Sequence, residues 1–338
     1  MMFAKASQRI YRILETGHRL SYDFGFLDRL QLRTPVLSVG NLTMGGTGKT
    51  PFVQYLVEQL QQRGRRCGIV SLNYQAQIRK PALVDRTHPK AAYYYGDEPT
   101  LLANHFPQMP VMVGPRKWES ALQLEATGLC DTIILDDGFQ HHALARDLDF
   151  VLIDASAPLE DLELLPVGRA RESLGALKRS DYLVLTRVNQ AQEPRISQLL
   201  AMLPAEMPVM QMSSQLQGEF LEETGRRVFG FAGIGRPESF EASLKNESFY
   251  ELVGFQGFPD HYNYQIQDLE RLRQMATDAG AELLITTEKD AVKIRSLNPD
   301  MTGLRVLPLL FKPVFGEESF HEFLDKRIAE WMTWKKFF

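Results

Sequence analysis

The sequence predicts an α/β protein: a P-loop NTPase-like core around a mostly parallel sheet, joined by a β-hairpin linker to a second, smaller α/β lobe. Three observations predict it. From Pro35 onward, short apolar runs alternate with amphipathic stretches, the pattern of strands joined by crossover helices. The runs Ile133-Ile134-Leu135 and Phe150-Val151-Leu152-Ile153 are continuous, as strands covered on both faces should be. Finally, Gly45-Gly46-Thr47-Gly48-Lys49-Thr50 follows an apolar strand and opens a helix, which is the context a phosphate-binding loop requires.

Taken in order, strands are expected at Pro35–Gly40, Arg66–Ser71, Val111–Val113, Thr132–Asp136, Asp149–Asp154 and Tyr182–Thr186. Helices are expected near Thr50–Arg63, Glu98–Phe106, Pro115–Thr127 and Arg195–Leu203. Near residue 215 the pattern changes: Glu219–Glu222 and Arg227–Phe231 flank Glu223-Thr224-Gly225-Arg226, which reads as a β-hairpin. A second α/β pattern follows, with strands near Tyr250–Gly254, Glu282–Thr286 and Arg305–Leu309. The expected organisation is a basic amphipathic segment over 1–34, a P-loop core over 35–214, the hairpin linker over 215–231 and a C-terminal α/β lobe over 232–338.

The 338 residues, 44% hydrophobic and 24% charged, suit a globular protein with a buried core. No apolar run nears the roughly 18 residues that cross a bilayer. The first residues lack the apolar stretch and cleavage site of a secretory signal. Cys67 and Cys130 have no adjacent Cys or His, so the expectation is a reducing, cytoplasmic setting without disulfides or zinc. A net charge of -4 argues against a nucleic-acid partner held by bulk charge. Residues 1–33 nevertheless hold six Lys and Arg against three acids, a balance of +3, which leaves -7 for the remainder. A basic segment on an acidic body predicts an anionic surface as partner.

Thr43-Met44-Gly45-Gly46-Thr47-Gly48-Lys49-Thr50 follows the P-loop pattern with Thr43 in place of the first glycine. Gly45, Gly46 and Gly48 let the backbone curl so that its N–H groups face a phosphate chain. The helix that follows adds its positive end. In this arrangement Lys49 reaches the β- and γ-phosphates of ATP and the Thr50 hydroxyl binds Mg²⁺. An ordinary strand–turn–helix is the plainer alternative. The apolar strand Thr132–Leu135 ends in Asp136 and Asp137, placing metal-binding carboxylates at the ligand edge of an open α/β sheet; solvated loop acids are the alternative there. Met44 stands where partitioning-type ATPases carry a signature lysine, and Thr287-Glu288-Lys289-Asp290 only loosely matches the base-reading motif of GTPases.

The segment Val39–Pro51 closely resembles the loop of the tetraacyldisaccharide 4'-kinase family, the lipid A 4'-kinases of Gram-negative bacteria. So do Gly96-Asp97-Glu98-Pro99, Asp136-Asp137-Gly138-Phe139-Gln140-His141, Phe231-Ala232-Gly233-Ile234-Gly235-Arg236-Pro237, Phe258-Pro259-Asp260-His261 and Thr286-Thr287-Glu288-Lys289-Asp290. The resemblance implies transfer of the γ-phosphoryl group of ATP, with Mg²⁺, to the 4'-hydroxyl of a tetraacylated glucosamine disaccharide 1-phosphate, giving lipid IVA. It implies a peripheral protein on the cytoplasmic face of the bacterial inner membrane. It assigns catalysis to Lys49 and to the pair Asp97 and His261, the Asp helping to deprotonate the attacking hydroxyl. Glu98 becomes a candidate metal ligand beside Thr50, Asp136 and Asp137. Tyr74, Arg116, Gln140, His141, Arg171 and Glu172 become candidate substrate residues. From local sequence alone, Asp97 reads as a helix-capping turn acid, His261 as a loop or core histidine and the arginines as surface ion pairs.

The chain departs from the family at Ser71-Leu72-Asn73-Tyr74-Gln75-Ala76, where a glycine-rich Ser-Arg-Gly-Tyr-Gly stretch is usual, and at Ala170, where Leu is common. That leaves two alternatives open: a non-catalytic nucleotide-dependent switch or lipid-binding protein of the same fold, and a kinase for a related glycolipid. For membrane contact, Phe3, Ala6, Ile10, Ile13, Leu14 and Gly17 recur at helical spacing, with Lys5, Arg9, Arg12 and Arg19 largely off that face. The tail Trp331–Phe338 is a second candidate anchor. For both segments, packing on the protein's own core is the alternative.

Overall fold

Apolar runs that alternate with amphipathic stretches resolve into strands and crossover helices, because each strand can satisfy its backbone only by pairing and each helix must bury one stripe. The computed structural model describes residues 2–72, 76–217, 225–246, 249–297 and 299–334. The chain opens with α1 (Met2–Asp23), β1 (Val36–Asn41), α2 (Lys49–Gln62) and β2 (Cys67–Leu72). Next come β3 (Ala82–Leu83), α3 (Ala91–Tyr95), α4 (Asp97–His105), β4 (Val111–Gly114) and α5 (Lys117–Thr127). They are followed by β5 (Thr132–Asp136), β6 (Leu148–Asp154), β7 (Tyr182–Thr186), α6 (Glu193–Met202) and β8 (Val209–Leu216). The remainder comprises β9 (Arg226–Ala232), α7 (Pro237–Asn246), β10 (Tyr250–Gly257), α8 (Ile266–Asp278), β11 (Leu283–Thr287), α9 (Glu288–Arg295), β12 (Leu304–Leu307), β13 (Leu309–Phe315) and α10 (Glu317–Trp334).

The chain forms two compact units: Met1–Val70 with Lys117–Ser213 and Phe311–Phe338, and Ser71–Arg116 with Ser214–Leu310. In the first, strands run in the order β13-β8-β7-β6-β1-β5-β2, and the pairings from β8 to β2 are parallel. Every residue of β1, β5 and β6 is buried, which is why their sequences are continuous rather than alternating. Leu42, Phe139, Val151, Leu183 and Leu199 form part of one core cluster. Phe52, Phe150, Tyr182 and Phe320 form an aromatic cluster that binds α2 and α10 to β6 and β7.

In the second unit, β10-β9-β11-β12 form a parallel sheet, with apolar clusters around Phe240 and Leu244 of α7 and around Leu269 and Leu272 of α8. The short β3 pairs antiparallel with β4, and α4 lies against α9. Residues 71–116 therefore group with 214–310, whereas the sequence reading placed them in the P-loop core. Of the expected hairpin, the first arm and half of the turn fall among residues 218–224, outside the described residues. The second arm became β9, an inner strand with parallel neighbours on both sides. Its Val228, Phe229, Phe231 and Ala232 are all buried, the continuous apolar pattern of an inner parallel strand.

Candidate active site

In the first unit, β1 delivers the chain to residues 42–48 at the carboxyl edge of the sheet, and α2 begins at Lys49. The N-cap of α2 is Gly48 in the left-handed region (φ 86), with no side-chain cap. The first-turn amides are thus left to an anion rather than to a capping hydroxyl. A Cβ at Gly48 would also overlap the Phe311 ring. The loop is tied down by its carbonyls. Asn41 Nδ2 donates to Thr43 O (2.7 Å), Arg169 Nε to Met44 O (3.2 Å), Arg187 Nη1 to Gly46 O (2.8 Å) and Thr186 Oγ1 to Thr47 O (2.9 Å). Arg187 is itself buried and paired with Asp154 Oδ2 at 2.6 Å. A P-loop must hold its shape before nucleotide arrives, and this lattice supplies the shape.

Lys49 Nζ lies 3.4 Å from Asn41 Oδ1 and 3.4 Å from Asp137 Oδ1. Register explains the proximity, since Val39 of β1 pairs with Asp136 of β5. Asp137 turns the chain at φ 51, and Arg171 Nη1 donates to its Oδ2 at 2.9 Å. Lys117 Nζ donates to the Asp137 carbonyl at 2.5 Å. Burial alone would raise the Asp137 pKa, but Lys49, Lys117 and Arg171 together hold it well below the ordinary carboxylate value. Lys117 is driven the other way, downward, chiefly by its own burial. Asp136 is buried and Thr50 lies in the first turn of α2.

The expected substrate residues fare unequally. Gln140 Nε2 donates to Asn41 O (3.1 Å) and Glu172 Oε1 (3.2 Å), while its Oε1 accepts from Arg171 (3.3 Å). Buried Glu172 also accepts from Arg179 Nη2 at 2.8 Å. Burial, then Lys117 and Arg146, lower the His141 pKa to about 4, so the ring is neutral at physiological pH. Gln140, Arg171 and Glu172 thus form one network with Asp137. Arg116 is exposed; the buried cation of that segment is its neighbour Lys117, which the sequence reading missed. Tyr74 lies outside the described residues.

In the second unit, Asp97 begins α4, and its Oδ1 accepts the Glu98 N–H at 2.9 Å; the N-cap is Gly96 and the helix has no side-chain cap, so the capping role read from sequence is not the one Asp97 takes. Its Oδ2 meets His261 Nδ1 at 3.0 Å. The two residues are 164 positions apart in the chain, yet the fold brings them together. Burial would raise the Asp97 pKa, but the His261 hydrogen bond, then Lys289, bring it down to about 2. The same hydrogen bond raises the His261 pKa against burial and Lys289. Glu98 spends one carboxylate oxygen on Lys289 Nζ at 2.9 Å.

The amino-terminal helix α1 docks on the first unit by one face: Gln8 Nε2 donates to Leu164 O (2.9 Å) and Tyr11 OH to Arg171 O (3.0 Å). Glu15 lies against Glu172, and burial, then that neighbour, raise its pKa. Ile10, Ile13 and Leu14 are 60%, 70% and 68% exposed, and Phe24 and Phe26 just beyond are 71% and 81% exposed. The side chains of Phe3 and Ala6 and the tail residues 335–338 lie outside the described set. Among the described residues no helix is long and apolar enough to cross a membrane.

Comparisons with known proteins point to one family. The family model described as tetraacyldisaccharide-1-P 4'-kinase matches residues 4–329. A tetraacyldisaccharide 4'-kinase of Bdellovibrio bacteriovorus is 39% identical over 295 residues, 82% of this chain and 85% of that one. Another from Anaeromyxobacter sp. is 37% identical over 340 residues, 96% of this chain and 90% of that one. Among solved structures, the chain is similar to the "apo" form of LpxK from Aquifex aeolicus in complex with ATP. The TM-score is 0.73 and the identity 28%, covering 95% of this chain and 97% of that one. The chain belongs to the tetraacyldisaccharide-1-P 4'-kinase family.

Proposed function

We propose that this protein transfers the γ-phosphoryl group of ATP to the 4'-hydroxyl of a tetraacylated glucosamine disaccharide 1-phosphate, yielding lipid IVA and ADP. The observation that carries it is the Asp97–His261 pair at 3.0 Å. A nucleotide-driven switch has no use for a partly buried carboxylate oriented by an imidazole, whereas a sugar hydroxyl needs an acceptor for its proton.

The phosphate chain of ATP lies along the loop 43–50, over the uncapped start of α2. Lys49 leaves Asp137 for the β- and γ-phosphates. Hard oxygen donors from Thr50, Asp136 and Asp137 fit Mg²⁺ and would hold it together with phosphate oxygens; the metal neutralises charge on the phosphates when bound. Among the described residues no set of three or more His, Cys, Asp or Glu side chains forms a metal site alone. In the transfer, the 4'-oxygen bonds to the γ-phosphorus while the bond to the β,γ-bridging oxygen breaks and ADP leaves with the electron pair. The hydroxyl proton passes to Asp97. With a pKa of about 2, Asp97 is ionised before the transfer but is a weak base. That suits a loose transition state in which the proton leaves late. Gln140, His141, Arg171 and Glu172 are assigned to the disaccharide, with Arg171 suited to a phosphate.

The exposed apolar edge of α1, with Phe24 and Phe26, is assigned to the acyl region of an anionic membrane, in keeping with a peripheral protein at the cytoplasmic face of the inner membrane. Competition among acceptors tests the substrate. With labelled ATP and Mg²⁺, the tetraacyl disaccharide 1-phosphate should outcompete monosaccharide and non-acylated analogues. Label released as phosphate without reaching any acceptor would favour the switch reading instead.

A further inference from the structure

The segment Thr286-Thr287-Glu288-Lys289-Asp290 is not used by the reaction as described, yet its residues hold three other motif segments in place. Thr287 caps α9, its Oγ1 accepting the Asp290 N–H at 3.2 Å. Fully buried Asp290 accepts the Gly233 N–H at 3.0 Å and the Thr287 hydroxyl at 2.7 Å. It also pairs with Lys293 at 3.1 Å. The first turn of α9 is therefore fixed, and Lys289 extends from a rigid base. Its Nζ lies 2.9 Å from Glu98 Oε1, 3.3 Å from Asp260 Oδ1 and 3.4 Å from His261 Nε2.

We propose that Lys289 is a positioning residue for phosphoryl transfer: its ammonium holds His261 in the tautomer whose Nδ1–H donates to Asp97, which fixes the Asp97 carboxylate. An ammonium offers only donors and at 3.4 Å lies nearer Nε2 than the Asp260 carboxylate at 3.9 Å, so Nε2 presents it a lone pair. The one ring hydrogen of neutral His261 then resides on Nδ1, 3.0 Å from Asp97 Oδ2. In the other tautomer a nitrogen lone pair would face the carboxylate and repel it. The carboxylates of Glu98 and Asp260 beside the Lys289 ammonium favour its charged form. The His261 backbone is also constrained, at φ 56 with its N–H donating to Asp260 Oδ1 at 3.0 Å. Lys289 thus grips both ends of the Asp260-His261 turn and the residue after Asp97.

The proposal rests on Asp97 as the proton acceptor, and its test separates the two ideas. Histidine-selective ¹⁵N labelling of the full chain, at a pH well above the pKa of the ring, reads the tautomer without any turnover; the His261→Gln spectrum assigns the signal. The wild-type protein should show His261 protonated at Nδ1, and Lys289→Met should show mixed tautomers. In steady-state assays Lys289→Met should lower kcat by at least about tenfold with KM for ATP nearly unchanged, the signature of an interaction made in the transition state. Lys289→Arg should restore part of the rate. A wild-type His261 protonated at Nε2, or an unchanged kcat in a folded Lys289→Met, would overturn the assignment. If Lys289→Met fails to fold, the wild-type tautomer and Lys289→Arg still decide it. If Asp97→Ala proves fully active while the tautomer follows Lys289, the assignment of Asp97 is what fails.

Discussion

Replacing Arg187 by Met removes the guanidinium that joins Asp154 to the phosphate-binding loop. The side chains of Arg187 and Asp154 are 4% and 2% exposed, and 2.6 Å separates their charged atoms. Breaking a pair this deep removes the cation that faces the buried Asp154 carboxylate, a cost of about 3–5 kcal/mol. The Gly46 carbonyl, which accepts from the same Nη1 at 2.8 Å, loses its donor at a further cost of about 1 kcal/mol. Adding Asp154→Leu removes the stranded charge. It sacrifices the contacts of Asp154 Oδ1 with Ser156 N and Oγ at 3.0 and 2.6 Å, yet should recover most of the stability. Nucleotide affinity should stay reduced in both variants, because the loop remains untied at Gly46. Trp118, Trp331 and Trp334 all belong to the first unit, so tryptophan fluorescence during urea unfolding reports on that unit. A loss below about 1 kcal/mol in the single variant, or a double variant no more stable than the single, would refute the reasoning.

Other consequences follow from the same geometry. Asp97→Ala should leave ATP affinity within about twofold and lower kcat by at least about tenfold, as for loss of an acid–base group; single-turnover measurements read the chemical step directly. Because the Asp97 pKa falls from 3.8 to about 2 on folding, its pairing stabilises the protein above pH 3.8 and ceases to do so as the pH falls toward 2. The stability gap between wild type and Asp97→Asn, followed by circular dichroism, should therefore narrow across that interval, and narrow also as the pH rises through the raised pKa of His261, whose charged form the same pair favours. Gly48→Ala forces φ 86 on a side chain that overlaps Phe311, so nucleotide binding, measured by calorimetry, should be lost. Ile13→Glu with Leu14→Glu replaces two exposed apolar side chains. Each contributes about 1.5 kcal/mol or more when buried, so binding to anionic vesicles should fall at least about tenfold while ATP affinity in solution is unchanged.

Much of the first unit was legible because its strands carry their signal locally. Thr132–Asp136 and Tyr182–Thr186 were expected with the bounds the structure has, since a buried parallel strand is a continuous apolar run between turn residues. The P-loop and its acidic strand were readable for the same reason: glycines, lysine and carboxylates stand at fixed offsets from those strands. The second unit was harder. The Arg227–Phe231 run is apolar enough for either a hairpin arm or an inner parallel strand, and only its pairing with β10 and β11 decides. Residues 71–116 belong with 214–310 through contacts that no local pattern records.

At the candidate site, the Asp97–His261 pair was expected only by resemblance, because nothing within a few residues of either position announces a partner so distant in sequence. Lys117, Lys289 and the Arg187–Asp154 pair were missed for a related reason. Cations beside Arg116 and Glu288 look like solvated helix residues until burial shows otherwise.

The account stands most directly on where the phosphate goes. Purified protein, incubated with ATP, Mg²⁺ and the tetraacyl disaccharide 1-phosphate in detergent micelles, should yield a lipid heavier by one phosphoryl group. Fragmentation in the mass spectrometer should place that group on the 4'-oxygen of the non-reducing sugar. A product phosphorylated elsewhere, or none from a protein that folds and binds ATP, would contradict it.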